Sequence, residues 1–124
     1  MRKTFSLVMV LAVALAAFVV PVSAGPNAPL EPANTIKEVM KKAHKDGLLK
    51  KVLDGQASAE EKTQLLDLYI DLLEGVPSKG DSNAWIMAAG RSMVAAGKVV
   101  VGREGAVEEL KEATNCKACH DVFK

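Results

Sequence analysis

The sequence predicts an all-α protein, folded as an antiparallel up-down four-helix bundle. Apolar residues recur at helical spacing from residue 35 onward, and no segment shows the strict alternation of a half-buried strand. Helix-start signals recur along the chain, and turns of a few residues containing glycine or proline separate the periodic segments. Four amphipathic helices joined by such short connections are typical of antiparallel neighbours in a bundle.

The first 24 residues have the features of a secretory signal peptide. Arg2 and Lys3 precede an almost unbroken apolar run over residues 5–20, and Val22-Ser23-Ala24 provides the small residues of a cleavage site. The alternative, an uncleaved membrane anchor, is disfavoured because the run is short for crossing roughly 30 Å of hydrocarbon. We therefore expect a periplasmic or otherwise exported protein, cleaved after Ala24 and with no stable membrane anchor afterwards.

Three regions are expected: the signal peptide at residues 1–24, an extended proline-containing leader at residues 25–33, and one bundle domain at residues 34–124. Without Arg2 and Lys3 the exported chain has 14 Lys and Arg against 15 Asp and Glu, a formal charge of −1. With the two signs interspersed, this balance predicts no nucleic-acid partner. A domain this small has a marginal core, so we expect a disulfide, a metal or a cofactor to stabilise it.

The first helix is predicted to begin at a capping box formed by Thr35 and Glu38. We expect this helix to break at Gly47 and a short helical piece to follow at residues 48–54. One apolar stripe connects the positions at helical spacing: Ile36, Val39, Met40, Ala43 and Gly47.

The second helix is predicted to begin at a capping box formed by Ser58 and Glu61 and to stop at Gly75 and Pro77. Its wide apolar face is expected to be buried: Leu65, Leu66, Leu68, Tyr69, Ile70, Leu72 and Leu73. Tyr69 is thereby interpreted as a core anchor.

A third helix, capped by Asp81 or Ser82, is expected to run to about Val101. Gly90 and Gly97 lower the helix propensity of this segment, and they favour either a break or the close approach of another helix or a flat ligand. The turn at residues 102–105 leads to a single fourth helix that continues to the two cysteines.

The sequence Cys116-Lys117-Ala118-Cys119-His120 is a C-x-x-C-H motif, the attachment signature of c-type haem. On one helical turn, the two thiols can add to two vinyl groups at one porphyrin edge, and the imidazole that follows can bind the iron. The motif uses both cysteines of the chain. It predicts one covalent haem c, which would also provide the expected stabilisation.

Three other uses of these cysteines compete with haem. A Cys116–Cys119 disulfide would close only a tiny loop and stabilise nothing distant. A thioredoxin-like redox pair belongs to a βαβ context that this sequence lacks. A zinc site would need four ligands, for which His120 and His44 would have to join the two cysteines at a spacing unlike that of zinc modules.

This C-terminal motif on a four-helix layout resembles the cytochrome c-prime family, the class II c-type cytochromes. That family ends in C-x-x-C-H, two further residues, an aromatic and a basic residue, matched here by Cys116, Cys119, His120, Phe123 and Lys124. The resemblance spans residues 35–124 in helical layout, with the motif as its specific part. It implies a monohaem protein that transfers single electrons between redox partner proteins.

The axial position opposite His120 decides the function. The first helix can supply a second ligand, and it offers Met40 and, one turn later, His44; the spacing leaves both open. The resemblance implies Met40, because low-spin members of the family carry a methionine in this helix in a similar Met-Lys setting. An open distal site would instead make the protein a haem protein that binds nitric oxide or carbon monoxide, which is the alternative function.

No nucleophile–base constellation and no glycine-rich phosphate loop occur in the sequence, so we expect a protein that is not an enzyme. The sequence leaves the oligomeric state open, a homodimer included.

Overall fold

The computed structural model describes residues 31–124, and this part of the chain is all-helical, with no strand. The predicted signal peptide and most of the predicted leader lie outside the described residues. The helices are α1 (Ile36–Val39), which continues as a π-helical segment (Met40–Lys45), α2 (Leu48–Leu53), α3 (Ala59–Glu74), α4 (Ser82–Val100), α5 (Ala106–Ala113) and α6 (Cys116–Phe123). The all-α prediction is confirmed.

Among residues 31–124, no helix combines the length and the apolar character that crossing a membrane requires.

The first predicted helix forms, but it is not a uniform α-helix. The Glu38 N–H donates to the Thr35 hydroxyl at 3.3 Å, and the Thr35 N–H donates to the Glu38 carboxylate at 2.8 Å, so the predicted capping box is confirmed. From Met40 to Lys45 the backbone adopts the wider π-helical hydrogen bonding, which is frequent at functional sites. The π-helical segment ends at Lys45, and Gly47, whose φ of 86° favours glycine, lies between it and α2.

The capping boxes predict a stability that depends on pH. Hydrogen bonds from Thr35 lower the pKa of Glu38. The pKa of Glu61 is lowered mainly by a hydrogen bond from the Lys51 side chain and, to a smaller extent, by one from the Ser58 backbone N–H. A carboxylate with a lowered pKa stabilises the fold above its unfolded-state pKa, and this contribution is lost as the pH falls through the folded-state pKa.

We therefore expect the double variant Glu38→Gln/Glu61→Gln to melt at a lower temperature than the parent protein at neutral pH, with the gap narrowing in acid. Thermal unfolding followed by circular dichroism at several pH values measures this gap. A gap that stays constant down to strongly acidic pH would contradict the argument.

Helices α3 and α4 form a long antiparallel pair. Leu73 lies beside Gly90 and Leu66 beside Gly97, each with a methyl carbon 3.9 Å from the place of a glycine Cβ. Because the leucine number falls as the glycine number rises, the two helices run in opposite directions. Helix α4 is continuous through both glycines, so they mark the approach of a neighbouring helix and not a break.

The predicted buried face of the second helix is largely confirmed. Leu65, Leu68, Tyr69 and Leu72 are buried, and Leu66 and Leu73 are half-buried. The prediction for Ile70 is wrong, since 36% of its surface is exposed. The buried face of α3 is narrower than the apolar face expected from the sequence, and Ile70 lies at the exposed edge of that face.

The expected fourth helix is two helices. Helix α5 ends at Ala113, and the Asn115 side chain opens α6 by accepting the Ala118 N–H at 3.1 Å. Asparagine is among the best N-cap residues, because its side chain satisfies a backbone donor that lacks a partner within the helix. At the break, the Ser92 hydroxyl of α4 donates to the Ala113 carbonyl at 3.0 Å. The cysteine motif therefore lies at the start of its own short helix.

The loop between α3 and α4 holds the end of α6. The Trp85 indole N–H donates to the Gly75 carbonyl at 2.8 Å, and Phe123 packs edge-on against Trp85 with ring centroids 5.2 Å apart. Gly80, with φ of 94°, leaves room for this ring, because a Cβ there would come within 2.6 Å of Phe123 Cδ1.

Gly80→Ala is expected to destabilise the fold by about 1–3 kcal/mol, because it adds overpacking to the strain of a positive φ. Gly102→Ala is the matched control, since Gly102 has φ of 72° but no atom within 4 Å of its Cβ position. Denaturant midpoints compare the two variants. Equal losses would show that the contact with Phe123 contributes nothing.

Candidate functional site

A cleft of about 690 Å³ lies among the first helical segment, α3, α4 and the two C-terminal helices. Its volume falls within the range of ligand and cofactor pockets, about 300–1,000 Å³. All the predicted ligands and anchors line it: Met40, His44, Cys116, Cys119 and His120. The fold therefore brings together residues that are far apart in the sequence.

Helix α6 carries the three groups of the C-x-x-C-H motif to one wall of this cleft. Capping by Asn115 places Cys116 in the first turn, and Cys119 and His120 follow within the next. Cys116 and His120 are exposed and Cys119 is half-buried, and both cysteines are free thiols. Burial raises the pKa of the Cys119 thiol, with a smaller contribution from the charge of Cys116.

The π-helical segment carries the two candidate distal ligands. Met40 and His44 are both half-buried and line the cleft. Burial lowers the pKa of His44, and the charge of His120 lowers it further. A lowered pKa favours the neutral imidazole, which has one nitrogen with a free lone pair for a metal.

A second cavity of about 500 Å³ lies beside the first, bordered by α2 and α5. His44 and Cys116 line both cavities, whereas Met40 and His120 line only the larger cleft. His44 and Cys116 therefore lie at the end of the cleft nearest α2, and Met40 lies further from that end.

Tyr69 lines the cleft and carries a buried hydroxyl without a partner in the described residues. Its side chain is fully buried, and its hydroxyl has no hydrogen-bond partner among residues 31–124. The Tyr69 ring lies beside that of His44, with centroids 6.0 Å apart, and burial raises the pKa of the phenol. A buried hydroxyl without a partner costs about 1–3 kcal/mol. Periodicity placed Tyr69 on the buried face, but no local pattern indicates whether a hydroxyl will find a partner.

Much of the remaining lining of the cleft is small or apolar. Ala88, Ala89 and Ser92 of α4 and Ala113 of α5 leave the space open, and the Trp85–Phe123 pair also lines it. These walls fit a large, mostly apolar group better than a solvated substrate. Two thiols and an imidazole on one helix, with a thioether and a second imidazole available from another, fit a haem in particular.

Two findings concern the competing uses of the cysteines. Within the described part of the chain, no three or more His, Cys, Asp and Glu side chains are grouped so that they could hold a metal ion. Cys116 and Cys119 are free thiols.

The chain matches no family model, no curated protein and no solved structure. The site is therefore interpreted from its own chemistry.

Proposed function

We propose that this protein is an exported monohaem c-type cytochrome of the c-prime family, an up-down four-helix bundle that transfers single electrons. The observation that carries the proposal is the cleft in which the C-x-x-C-H motif and Met40 border one apolar space. In this arrangement the first helix of the bundle comprises α1, the π-helical segment and α2. Helices α3 and α4 are the second and third, and α5 together with α6 is the fourth.

Cys116 and Cys119 are the covalent anchors. They would hold the group by adding as thiols across its two vinyl substituents, which would need reduced cysteines and no oxidant. Both thiols are free in the structure, and they lie one helical turn apart on α6. His120 follows directly and provides the proximal imidazole.

Met40 is the distal ligand in this proposal. His44 also borders the second cavity, together with Cys116. Met40 borders only the main cleft, which favours it over His44 as the second residue that would hold the group there. A soft thioether favours ferrous iron more than an imidazole does, so Met40 raises the reduction potential.

The bound haem supplies the one-electron couple between ferric and ferrous iron. Tyr69, Leu72 and Ala89 are buried and would give the group partly apolar surroundings. With Met40 and His120 both holding the group, gaining an electron would require little rearrangement of this chain.

A haem protein that binds nitric oxide or carbon monoxide is the second candidate, and one observation favours it. The buried hydroxyl of Tyr69 has no partner in the described residues and could donate a hydrogen bond to a small ligand at an open distal position. Carbon monoxide binding to the reduced protein separates the two functions. Fast binding with no ligand to displace supports the second, and slow binding limited by loss of Met40 supports the first.

Attachment is tested by producing the full chain in a host that exports and matures c-type cytochromes. Haem that stays on the polypeptide after complete denaturation supports the proposal. A colourless protein, or haem that separates from the denatured chain, overturns it.

A further inference from the structure

The charged side chains that line the main cleft are all of one sign. Lys37 and Lys45 of the first helical segment and Lys124 at the end of α6 line it, and no Asp or Glu among residues 31–124 does so. All three lysines are exposed, and none forms an ion pair with a described residue.

Two other lysines, each close to the rim lysines in the sequence, do form ion pairs. Lys41 pairs with Asp46 at 3.0 Å, and Lys117 pairs with Asp121 at 2.6 Å, so both have a compensating charge within contact distance. The lining of the cleft thus combines three positive side chains with no carboxylate, while the exported chain as a whole has 14 Lys and Arg against 15 Asp and Glu. Uncompensated charges of one sign around a low-dielectric cleft focus the field at its opening.

We propose that the rim of the cleft formed by Lys37, Lys45 and Lys124 is the docking surface for an acidic redox partner protein. This inference rests on the proposed function, because the cofactor edge would approach solvent at this opening. An acidic patch on the partner would be drawn to the rim despite the slightly negative charge of the whole chain. Rim charges mainly raise the association rate and its dependence on salt.

The local field can be measured with small reagents of opposite charge. The haem-loaded, reduced protein is oxidised in one experiment by hexacyanoferrate(III), an anion, and in another by tris(phenanthroline)cobalt(III), a cation. In each reaction one electron passes from the ferrous iron to the reagent metal. Raising the ionic strength from about 0.01 M to about 1 M shortens the Debye length from about 30 Å to about 3 Å.

For the parent protein, we expect the rate with the anion to fall on the order of tenfold over this range, and the rate with the cation to rise. Lys37→Gln/Lys45→Gln should remove most of the salt dependence with the anion, and Lys124→Gln part of it. Arg103→Gln is the matched control, because Arg103 lines neither cavity and forms no ion pair with a described residue.

Two results would overturn the docking surface. In the first, the oxidation rate of Lys37→Gln/Lys45→Gln has the same salt dependence as that of Arg103→Gln, as expected if only the net charge of the protein matters. That result would show that the rim does not steer anions. If the double variant shifts the reduction potential but leaves the rates unchanged at equal driving force, the lysines serve the carboxylates of the cofactor instead.

Failure of the proposed function is recognised separately. If no haem is attached, an NMR titration of the full chain with a poly-glutamate peptide still tests the rim. Salt-sensitive shifts at Lys37, Lys45 and Lys124 would support the anion-binding surface, and shifts scattered over other lysines would contradict it.

Discussion

Replacing Cys116 and Cys119 together by serine is expected to abolish covalent haem attachment and to leave a domain without a cooperative thermal transition. The walls of the cleft of about 690 Å³ are largely apolar, and without the ring they lose a large contact partner. Burying several hundred square ångströms of apolar surface at about 25 cal/mol per Å² contributes on the order of 10 kcal/mol. That is comparable with the whole stability of a small domain, about 5–15 kcal/mol.

Circular dichroism melts test this prediction, with the near-ultraviolet signal reporting on Trp85, which lines the cleft with Phe123. Cys116→Ser and Cys119→Ser, made singly, are the matched controls, because each keeps one thioether and therefore the haem. A double variant that melts as sharply and at the same temperature as the parent protein would show that haem does not stabilise the fold.

The second large effect is expected from Met40→Ala, which should convert the haem spectrum from low-spin to high-spin. The substitution removes the proposed sixth ligand, and alanine offers no atom that can replace it. Carbon monoxide should then bind the reduced variant without displacing a ligand.

His44→Ala is the matched control for Met40→Ala, because both side chains come from the π-helical segment and line the same cleft. We expect the His44 variant to keep a low-spin spectrum. The opposite pattern, with Met40→Ala silent and His44→Ala high-spin, would establish two histidine ligands.

The sequence predicts those parts of the fold that depend only on residues close together in the chain. Thr35 and Ser58 begin helices because their side chains bond to backbone groups three residues away, and that pattern is visible in the sequence. The π-helical segment is not visible in this way, since residues 40–45 continue the same helical pattern in the sequence. The break before α6 could have been predicted, because Asn115 is a good N-cap, but the motif after it suggested a continuous helix.

The same division holds for the candidate site. Cys116, Cys119 and His120 lie close together in the sequence, so their grouping on one short helix could be predicted from spacing alone. Whether Met40 and His44 share a cleft with them depends on the packing of distant helices. The charges around the opening also needed the structure, because Lys41 and Lys45 look alike in the sequence, yet only Lys41 has an ion-pair partner there.

The optical spectrum of the purified full chain, oxidised and then reduced, tests the central claim most directly. With His120 and Met40 bound, the ferric protein should be low-spin with a weak charge-transfer band at the red end of the visible range, as expected for a sulfur ligand on iron. The reduced protein should remain low-spin. A high-spin spectrum in either state, or no haem absorption at all, would contradict the claim.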